Sequence, residues 1–180
     1  MTQINGFFDP AHGSSLSASG LVHAELAVLQ IPWRLDVEFK IDTGSPGIFV
    51  LDEKVLEALL QWGFVPPRPN TRNPLPPVPQ ACQWMGIRPY WFTPPSKEFQ
   101  TINGTLRDVF AVKQAVVRLC NRGSPPDGGA RELDPVYFAF SERYRTKGRR
   151  MLSLLGRKGI NAVQSLIWSA RKDTITLYDR

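Results

Sequence analysis

Prolines and glycines limit the length of every regular element that this chain can form. The 180 residues include 16 prolines and 14 glycines, and seven of the prolines fall between residues 65 and 79. Both residue types interrupt the interiors of helices and strands, so their density favours short strands over long helices. Residues 65–80 can form neither a helix nor a central strand, and we expect a polyproline-like insertion on the surface there.

The clearest strand signal lies in residues 35–41. Their sequence, Leu-Asp-Val-Glu-Phe-Lys-Ile, alternates apolar and charged side chains, which predicts one buried and one exposed face. Residues 99–119 predict a β-hairpin with its tip near Asn103 and Gly104 and its returning arm reaching Leu119. Other apolar runs predict further strands at residues 21–29, 48–51, 136–140, 166–168 and 174–178.

Helices are expected to be few. Residues 52–62 predict a helix that Asp52 can cap, and a second short helix is expected around residues 158–163. The buried stripe of the first helix is expected to consist of Val55, Leu56, Leu59 and Leu60. The fold class that follows is all-β, a barrel-like domain with one or two short helices.

The net charge of +6 and the pI near 9.6 are compatible with an acidic partner. The basic residues are scattered except in residues 143–150, Arg-Tyr-Arg-Thr-Lys-Gly-Arg-Arg, which we interpret as a solvated loop. The alternative is a nucleic-acid-binding β-barrel that uses this run together with Trp84, Tyr90 and Trp91. We favour the loop and therefore expect no nucleic-acid partner.

The sequence gives little support for a metal site or for a membrane-spanning segment. His12, His23, Cys82 and Cys120 are too far apart for the spacing of a zinc site, so we expect no metal and no cofactor. No apolar run approaches the roughly 20 residues that span a bilayer, and the N-terminal residues do not resemble a secretory signal. We expect a soluble cytoplasmic protein with no membrane partner.

Asp42-Thr43-Gly44-Ser45 is the strongest chemical motif. It forms a turn cluster between the alternating strand and the apolar residues 48–51, so it is expected at the rim of a sheet. Such a turn displays a carboxylate for acid–base chemistry, because Gly44 allows close backbone approach and the hydroxyls of Thr43 and Ser45 can orient the carboxylate. The same residues also suit an ordinary Asx-turn between two strands.

A second motif, Leu154-Leu155-Gly156-Arg157, lies more than a hundred residues further on and leads into the second predicted helix. The two motifs in this order resemble the retropepsin family of single-domain aspartic peptidases, in which an Asp-Thr-Gly-Ala/Ser turn precedes a hydrophobic–hydrophobic–Gly-Arg segment. The resemblance covers residues 21–178, with insertions at residues 65–91 and 121–132. It implies a closed acid-protease barrel over residues 21–180, after an N-terminal extension over residues 1–20, that is active as a two-fold dimer.

The resemblance implies an aspartic endopeptidase, a hydrolase that acts on polypeptides. Asp42 matches the catalytic aspartate, and Thr43 matches the residue whose hydroxyl joins the active-site turns of the two subunits. The carbonyl of Gly44 would meet the substrate backbone, and Ser45 would lie beside the carboxylate. Two such aspartates share one proton and activate a water molecule.

The remaining matches lie outside the turn. Asn103 and Gly104 match the flap that covers the substrate, although this match is only a glycine-containing hairpin tip. Leu155 and Gly156 match the segment beneath the active-site turn, and Arg157 matches the family's supporting arginine.

Two departures from the family pattern leave an alternative open. Pro46 and Gly47 stand where retroviral members carry acidic residues, so Arg157 lacks its expected partner. Pro46 also has no backbone N–H to offer a substrate. The alternative is a retropepsin-like fold that serves binding or dimerisation without cleavage.

The sequence contains one active-site turn, although the chemistry needs two. No second Asp-Thr-Gly or Asp-Ser-Gly occurs, and Asp108 and Asp134 have no comparable turn around them. The second carboxylate is therefore expected from another copy, which makes the chain its own partner in a homodimer. Residues 174–178 are expected to form the shared sheet, since Ile175 and Leu177 would otherwise lie on an exposed edge.

Overall fold

The computed structural model describes residues 2–9, 19–28, 34–61, 92–93, 99–101, 104–112, 114–125, 131–133, 135–147, 150–163, 165–169 and 174–179. The strands in these ranges are β1 (Thr2–Asp9), β2 (Ser19–Val28), β3 (Arg34–Ile41), β4 (Ile48–Leu51), β5 (Phe92–Thr93), β6 (Phe99–Thr101), β7 (Gly104–Val112), β8 (Ala115–Cys120), β9 (Arg131–Glu132), β10 (Val136–Ser141), β11 (Ser153–Leu155), β12 (Ser165–Ser169) and β13 (Thr174–Asp179). The helices are α1 (Glu53–Gln61), α2 (Glu142–Lys147) and α3 (Arg157–Ile160).

The strands form one sheet with an open path through the described residues. Its order is β12-β13-β1-β2-β3-β11-β4-β10-β7-β5, with β6, β8 and β9 paired off this path. The mostly β architecture is confirmed, with three described helices rather than one or two. No described pairing joins β12 to β5, so the sheet formed by the described residues does not close into the expected barrel.

The centre of the sheet is buried on both faces. In β3 the burial of side chains alternates as predicted, whereas all four residues of β4 are buried. Ile48 and Val50 pack into the larger apolar cluster, and Phe49 and Leu51 pack into a smaller cluster on the opposite face. A strand with both faces covered needs a continuous apolar run, which is the sequence of β4. This burial gives the turn before β4 a rigid support.

Helix α1 packs through a different stripe from the predicted one. Val55 and Ala58 are fully buried, Leu56 is partly buried, and the side chain of Leu60 is 48% exposed. Residues 55 and 58 lie on one side of a helix, and residue 60 is rotated by about 200° from residue 58. The prediction for Leu60 is therefore wrong, and the side chain of Leu59 lies outside the described set.

The C-terminal strand is not the edge that the sequence predicts. β13 lies between β12 and β1, with Ile175 opposite both Trp168 and Gly6. Both Ile175 and Leu177 are fully buried within one chain. Strand β1 fills the predicted edge, so the edge of this part of the sheet is β12. The domain boundary at residue 20 stays a prediction, and the residues before it contribute this strand.

Three other expectations meet different outcomes. The predicted loop at residues 143–150 begins as α2, which continues directly from β10. The hairpin is present between β6 and β7, but its returning arm ends at Val112, and β8 pairs with β2 and β9 instead. Gln114 has a positive φ of 57° where the chain leaves β7. The insertion at residues 65–80 lies outside the described residues.

None of the helices in the described part of the chain is long and apolar enough to cross a membrane.

Candidate active site

Asp42 begins a tight turn at the end of β3. The backbone N–H of Ser45 donates to the carbonyl of Asp42 at 3.1 Å, and the N–H of Gly44 donates to the Asp42 carboxylate oxygen Oδ1 at 2.9 Å. The second bond is the bond that defines an Asx-turn. The turn thus orients the carboxylate through its own backbone.

Strand β11 lies beneath this turn, between β3 and β4. It runs parallel to β3 and antiparallel to β4. The N–H of Asp42 donates to the carbonyl of Leu155 at 3.1 Å, and the N–H of Gly156 donates to the carbonyl of Gly47 at 3.0 Å. The N–H of Arg157 donates to the carbonyl of Ser45 at 2.8 Å. Two of these bonds join the two sequence motifs directly, and the third joins the second motif to Gly47 at the end of the turn.

At position 156 only glycine fits without a shift of the neighbouring backbone. A Cβ atom built on it would lie 2.2 Å from the carbonyl oxygen of Gly47 and 2.5 Å from that of Ser45. Its φ of −83° is ordinary, so the requirement is space and not backbone conformation. The absent side chain lets the start of α3 approach the turn closely.

The hydroxyl of Ser45 has a different partner from the predicted one. Ser45 is 8% exposed, and its Oγ donates to the carbonyl of Gly47 at 3.2 Å. It therefore stabilises the turn and does not orient the carboxylate of Asp42. Thr43 and Gly44 are exposed, while Asp42 is partly buried.

The carboxylate of Asp42 retains capacity for a further partner. Within the described residues, Oδ1 accepts from Gly44 and Oδ2 accepts no hydrogen bond. A carboxylate can accept about four hydrogen bonds, so most of its capacity is uncommitted. A partly exposed carboxylate in this state can bind a water molecule or share a proton with a second acid.

Asp52 is a buried carboxylate whose role the sequence did not reveal. It is fully buried at the opposite end of β4, five residues or about 17 Å from Gly47 of the turn by the rise of a strand. Its Oδ1 accepts from the Ser141 N–H at 2.6 Å, and its Oδ2 accepts from the Ser141 hydroxyl at 2.7 Å and the Met151 N–H at 2.6 Å. Burial raises its pKa above the ordinary 3.8, and the bonds from Ser141 and Met151 oppose that shift.

The carboxylate of Asp52 therefore does not cap α1 as predicted. The carbonyl of Asp52 accepts from the Leu56 N–H at 3.0 Å, while its carboxylate accepts from Ser141 and Met151 outside the helix. Asp52 has a positive φ of 51°, which Asp tolerates better than most residues. The residue serves as a structural junction between β4, β10 and the segment before β11.

The other predicted site residues are only partly described. Gly104 begins β7 opposite Thr101, so it lies at the base of the predicted hairpin tip, and Asn103 lies outside the described residues. The side chain of Arg157 is exposed and makes no ion pair within the described part of the chain. The side chains of Asp108 and Asp134 also lie outside it. No group of three or more His, Cys, Asp or Glu side chains there could hold a metal ion.

Comparisons with known proteins give a limited result. No family model and no curated protein matches the chain. Among solved structures, it is similar to a retropepsin-like aspartic protease from Rickettsia conorii, at 12% identity and a TM-score of 0.44, over 98% of this chain and 91% of that one. The chemistry of the Asp42 turn is therefore inferred from its own geometry.

Proposed function

We propose that this chain is one subunit of a homodimeric, retropepsin-like aspartic endopeptidase in which Asp42 is the catalytic carboxylate. The observation that supports this most is the state of Asp42. Its carboxylate is partly exposed, is oriented by the N–H of Gly44, and retains an oxygen without a partner in the described residues. A carboxylate with only a structural role would be expected to use both oxygens, as Asp52 does.

The reaction needs a second carboxylate. Asp52 is buried and both of its carboxylate oxygens are bonded, so it is unsuited to act with Asp42 on a substrate. Asp42 of a second copy, related by a two-fold axis, would supply it. One aspartate would then take a proton from a water molecule, and the other, protonated, would donate a hydrogen bond to the scissile carbonyl. Cleavage should be fastest in mild acid, where the pair holds one proton.

The residues around Asp42 would position the substrate and the second subunit. We propose that the exposed hydroxyl of Thr43 contacts the second copy and that the carbonyl of Gly44 binds the backbone of an extended peptide. Ser45, Leu155, Gly156 and Arg157 would hold the turn through the bonds described above. Asn103 and Gly104 would belong to a flap over the peptide.

The test is cleavage of a diverse peptide mixture between pH 4 and pH 7 by the wild type, by Asp42→Ala and by the control Glu132→Ala. Glu132 is an exposed acid on β9, so its removal should leave cleavage unchanged. The wild type and the control should cut the same bonds, and Asp42→Ala should cut none. Sedimentation should show a dimer, and the rate per chain should fall on dilution below the dissociation constant of that dimer.

The alternative is a protein with this fold that binds peptides or dimerises without cleavage. Pro46 favours it, because this exposed residue of the turn has no N–H with which to bind a substrate backbone. A folded wild-type dimer that cuts no peptide at any pH tested would support this alternative and would contradict the peptidase.

A further inference from the structure

A polar cleft of about 510 Å³ lies on the face of the sheet that carries the charged side chains of β2 and β3. Its floor includes His23, Asp36 and Glu38. Small-molecule sites have volumes of about 300–1,000 Å³, so the cleft is large enough for a ligand. Its charged walls come from α1, from the loop after β8 and from the segment before β11, and they consist of Glu53, Lys54, Arg122 and Arg150.

The cleft is separate from the Asp42 turn. Asp36 and Glu38 precede Asp42 by six and four residues on β3, which corresponds to about 20 Å and 13 Å along an extended strand. No residue of the turn lines the cleft. A ligand bound there would therefore not occupy the proposed catalytic site.

Opposite charges are balanced in the cleft. Three carboxylates, on Asp36, Glu38 and Glu53, face three cations, on Lys54, Arg122 and Arg150. Arg150 pairs with Glu53 at 3.4 Å, and both side chains are about half exposed. Lys54 pairs at 2.7 Å with Glu57, which does not line the cleft. Within the described residues, Asp36 and Arg122 make no ion pair. The cleft therefore offers both an acceptor for a cation and a donor for an anion.

His23 packs beneath the charged side chains of the cleft. The imidazole ring of His23 stacks on the ring of Phe7, with the ring centres 5.0 Å apart. The guanidinium of Arg122 also lies over the Phe7 ring, 5.1 Å from its centre. The Nε2 atom of His23 is buried and has no hydrogen-bond partner in the described residues, because Glu38 Oε1 is 3.6 Å away. Because this atom is not exposed to the cleft, the groups that a ligand can contact there are the charged side chains.

We propose that this cleft binds a small zwitterion, either a free α-amino acid or a short unblocked peptide. The ammonium group would bind Asp36 and Glu38, and the carboxylate would bind Arg122 and Arg150. A ligand of one charge would leave half of these groups without a partner and would meet like charges in the same cleft. A zwitterion matches both sets.

The experiment measures the binding of alanine, trialanine, N-acetyl-trialanine and trialanine amide by calorimetry at low salt. We expect alanine or trialanine to bind. The one that binds shows whether the cleft takes a free α-amino acid or a short unblocked peptide. Each blocked form of the ligand that binds should bind at least about tenfold more weakly, because one of its charges is lost. N-acetylalanine and alanine amide replace the blocked tripeptides if only alanine binds.

Two variants assign the charges to their partners. In Asp36→Asn, N-acetylation of the ligand should weaken its binding by less than about threefold, compared with about tenfold in the wild type. Amidation should weaken binding as much as it does in the wild type. Arg122→Gln should do the reverse. The control Arg118→Gln removes a cation from β8 that faces Glu25 and does not line the cleft, so both modifications should weaken binding as they do in the wild type.

Each contrary result would overturn the proposal. These results are the absence of binding at about 10 mM ligand by folded protein, equal binding of free and blocked ligands, and equal behaviour of Asp36→Asn and Arg118→Gln. The same titration of Asp42→Asn should give the wild-type affinity, so loss of cleavage and loss of zwitterion binding can be told apart.

Discussion

Two carboxylates on either side of β4, Asp42 at the start of the turn before it and Asp52 directly after it, differ in nearly every physical respect. Asp42 is partly exposed and, within the described residues, accepts one hydrogen bond from its own turn. Asp52 is fully buried and accepts three bonds from residues about 90 to 100 positions away in the chain. The same chemical group is available for reaction at one end of the strand and committed to structure at the other.

The difference between them shows what to look for in a candidate catalytic acid. A buried acid is stabilised when donors satisfy both of its oxygens, and such an acid holds the fold together. An acid that reacts must keep capacity for a substrate or a water molecule while its orientation is still restricted. In this chain the turn supplies the restriction, and β11 supports the turn.

The largest expected effect is the loss of peptide cleavage when Asp42 is replaced. Asp42→Asn should lower the proposed peptide cleavage at least about a thousandfold, because the amide cannot take a proton from water. The free energy of unfolding should change by no more than about 0.5 kcal/mol, since the Asn oxygen can still accept from Gly44. Cleavage assays and urea unfolding of the same sample measure both quantities. A large loss of stability would show that Asp42 is as structural as Asp52.

The second effect is on stability alone. Asp52→Ala should lower the free energy of unfolding by about 3 kcal/mol or more, because it leaves the N–H and hydroxyl of Ser141 and the N–H of Met151 without their acceptor. Urea unfolding checks this value. The control is Glu53→Ala, which removes a half-exposed acid whose only described ion pair is with Arg150 and should cost less than about 1 kcal/mol. Equal costs for the two variants would contradict the role of Asp52.

The third effect compares the two sides of the Asp42 turn. Gly156→Ala should lower the free energy of unfolding by about 1–3 kcal/mol, because the added Cβ would overlap the carbonyl oxygens of Gly47 and Ser45. Gly44→Ala should cost less, since its Cβ would have as its one near neighbour the movable side-chain oxygen of Asp42, at 3.2 Å. Thermal unfolding of the two variants measures the difference. A smaller cost at Gly156 than at Gly44 would contradict the close packing of α3 beneath the turn.

The smallest effect is a pH dependence that belongs to Asp52. Burial raises its pKa in the folded state above 3.8, so the folded protein keeps a proton that the unfolded chain has released. Its contribution to stability is therefore greatest in acid and falls as the pH rises from about 4 through the raised pKa, with a slope of at most about 1.4 kcal/mol per pH unit. Urea unfolding at a series of pH values should show this slope in the wild type and not in Asp52→Asn. If the stability of the wild type relative to Asp52→Asn rose with pH instead, the hydrogen bonds to Asp52 would outweigh the effect of its burial on the pKa.

Local patterns in the sequence predicted local structure well. The alternation of β3 and the extent of α1 follow from residues that are neighbours in the chain, and both are present. The strand β1 was missed because its apolar residues alternate weakly, with Gly6 in the middle, and its partner β13 lies far along the chain. The correct edge of the sheet could not be predicted without it.

The candidate site was predictable to a different degree. The meeting of the Asp42 turn with Leu155 and Gly156 was expected from a resemblance between motifs, and the backbone hydrogen bonds join the same segments. The partner of the Ser45 hydroxyl and the network of Asp52 were not expected. Both depend on the distances between segments after folding, which no pattern of neighbouring residues encodes.

The position of β1 also constrains the order of events during synthesis. The residues of β1 leave the ribosome before those of β13, which begins 165 residues after Asp9, and synthesis of this interval takes about 8–33 s at a rate of about 5–20 residues per second. During this interval residues 2–6 of β1, which pair with β13 in the folded sheet, lack that strand as a partner. Pairing over such a separation also slows folding, because a long loop must close first. A nascent chain of this protein therefore exposes an incomplete sheet edge until its C-terminal hairpin has emerged.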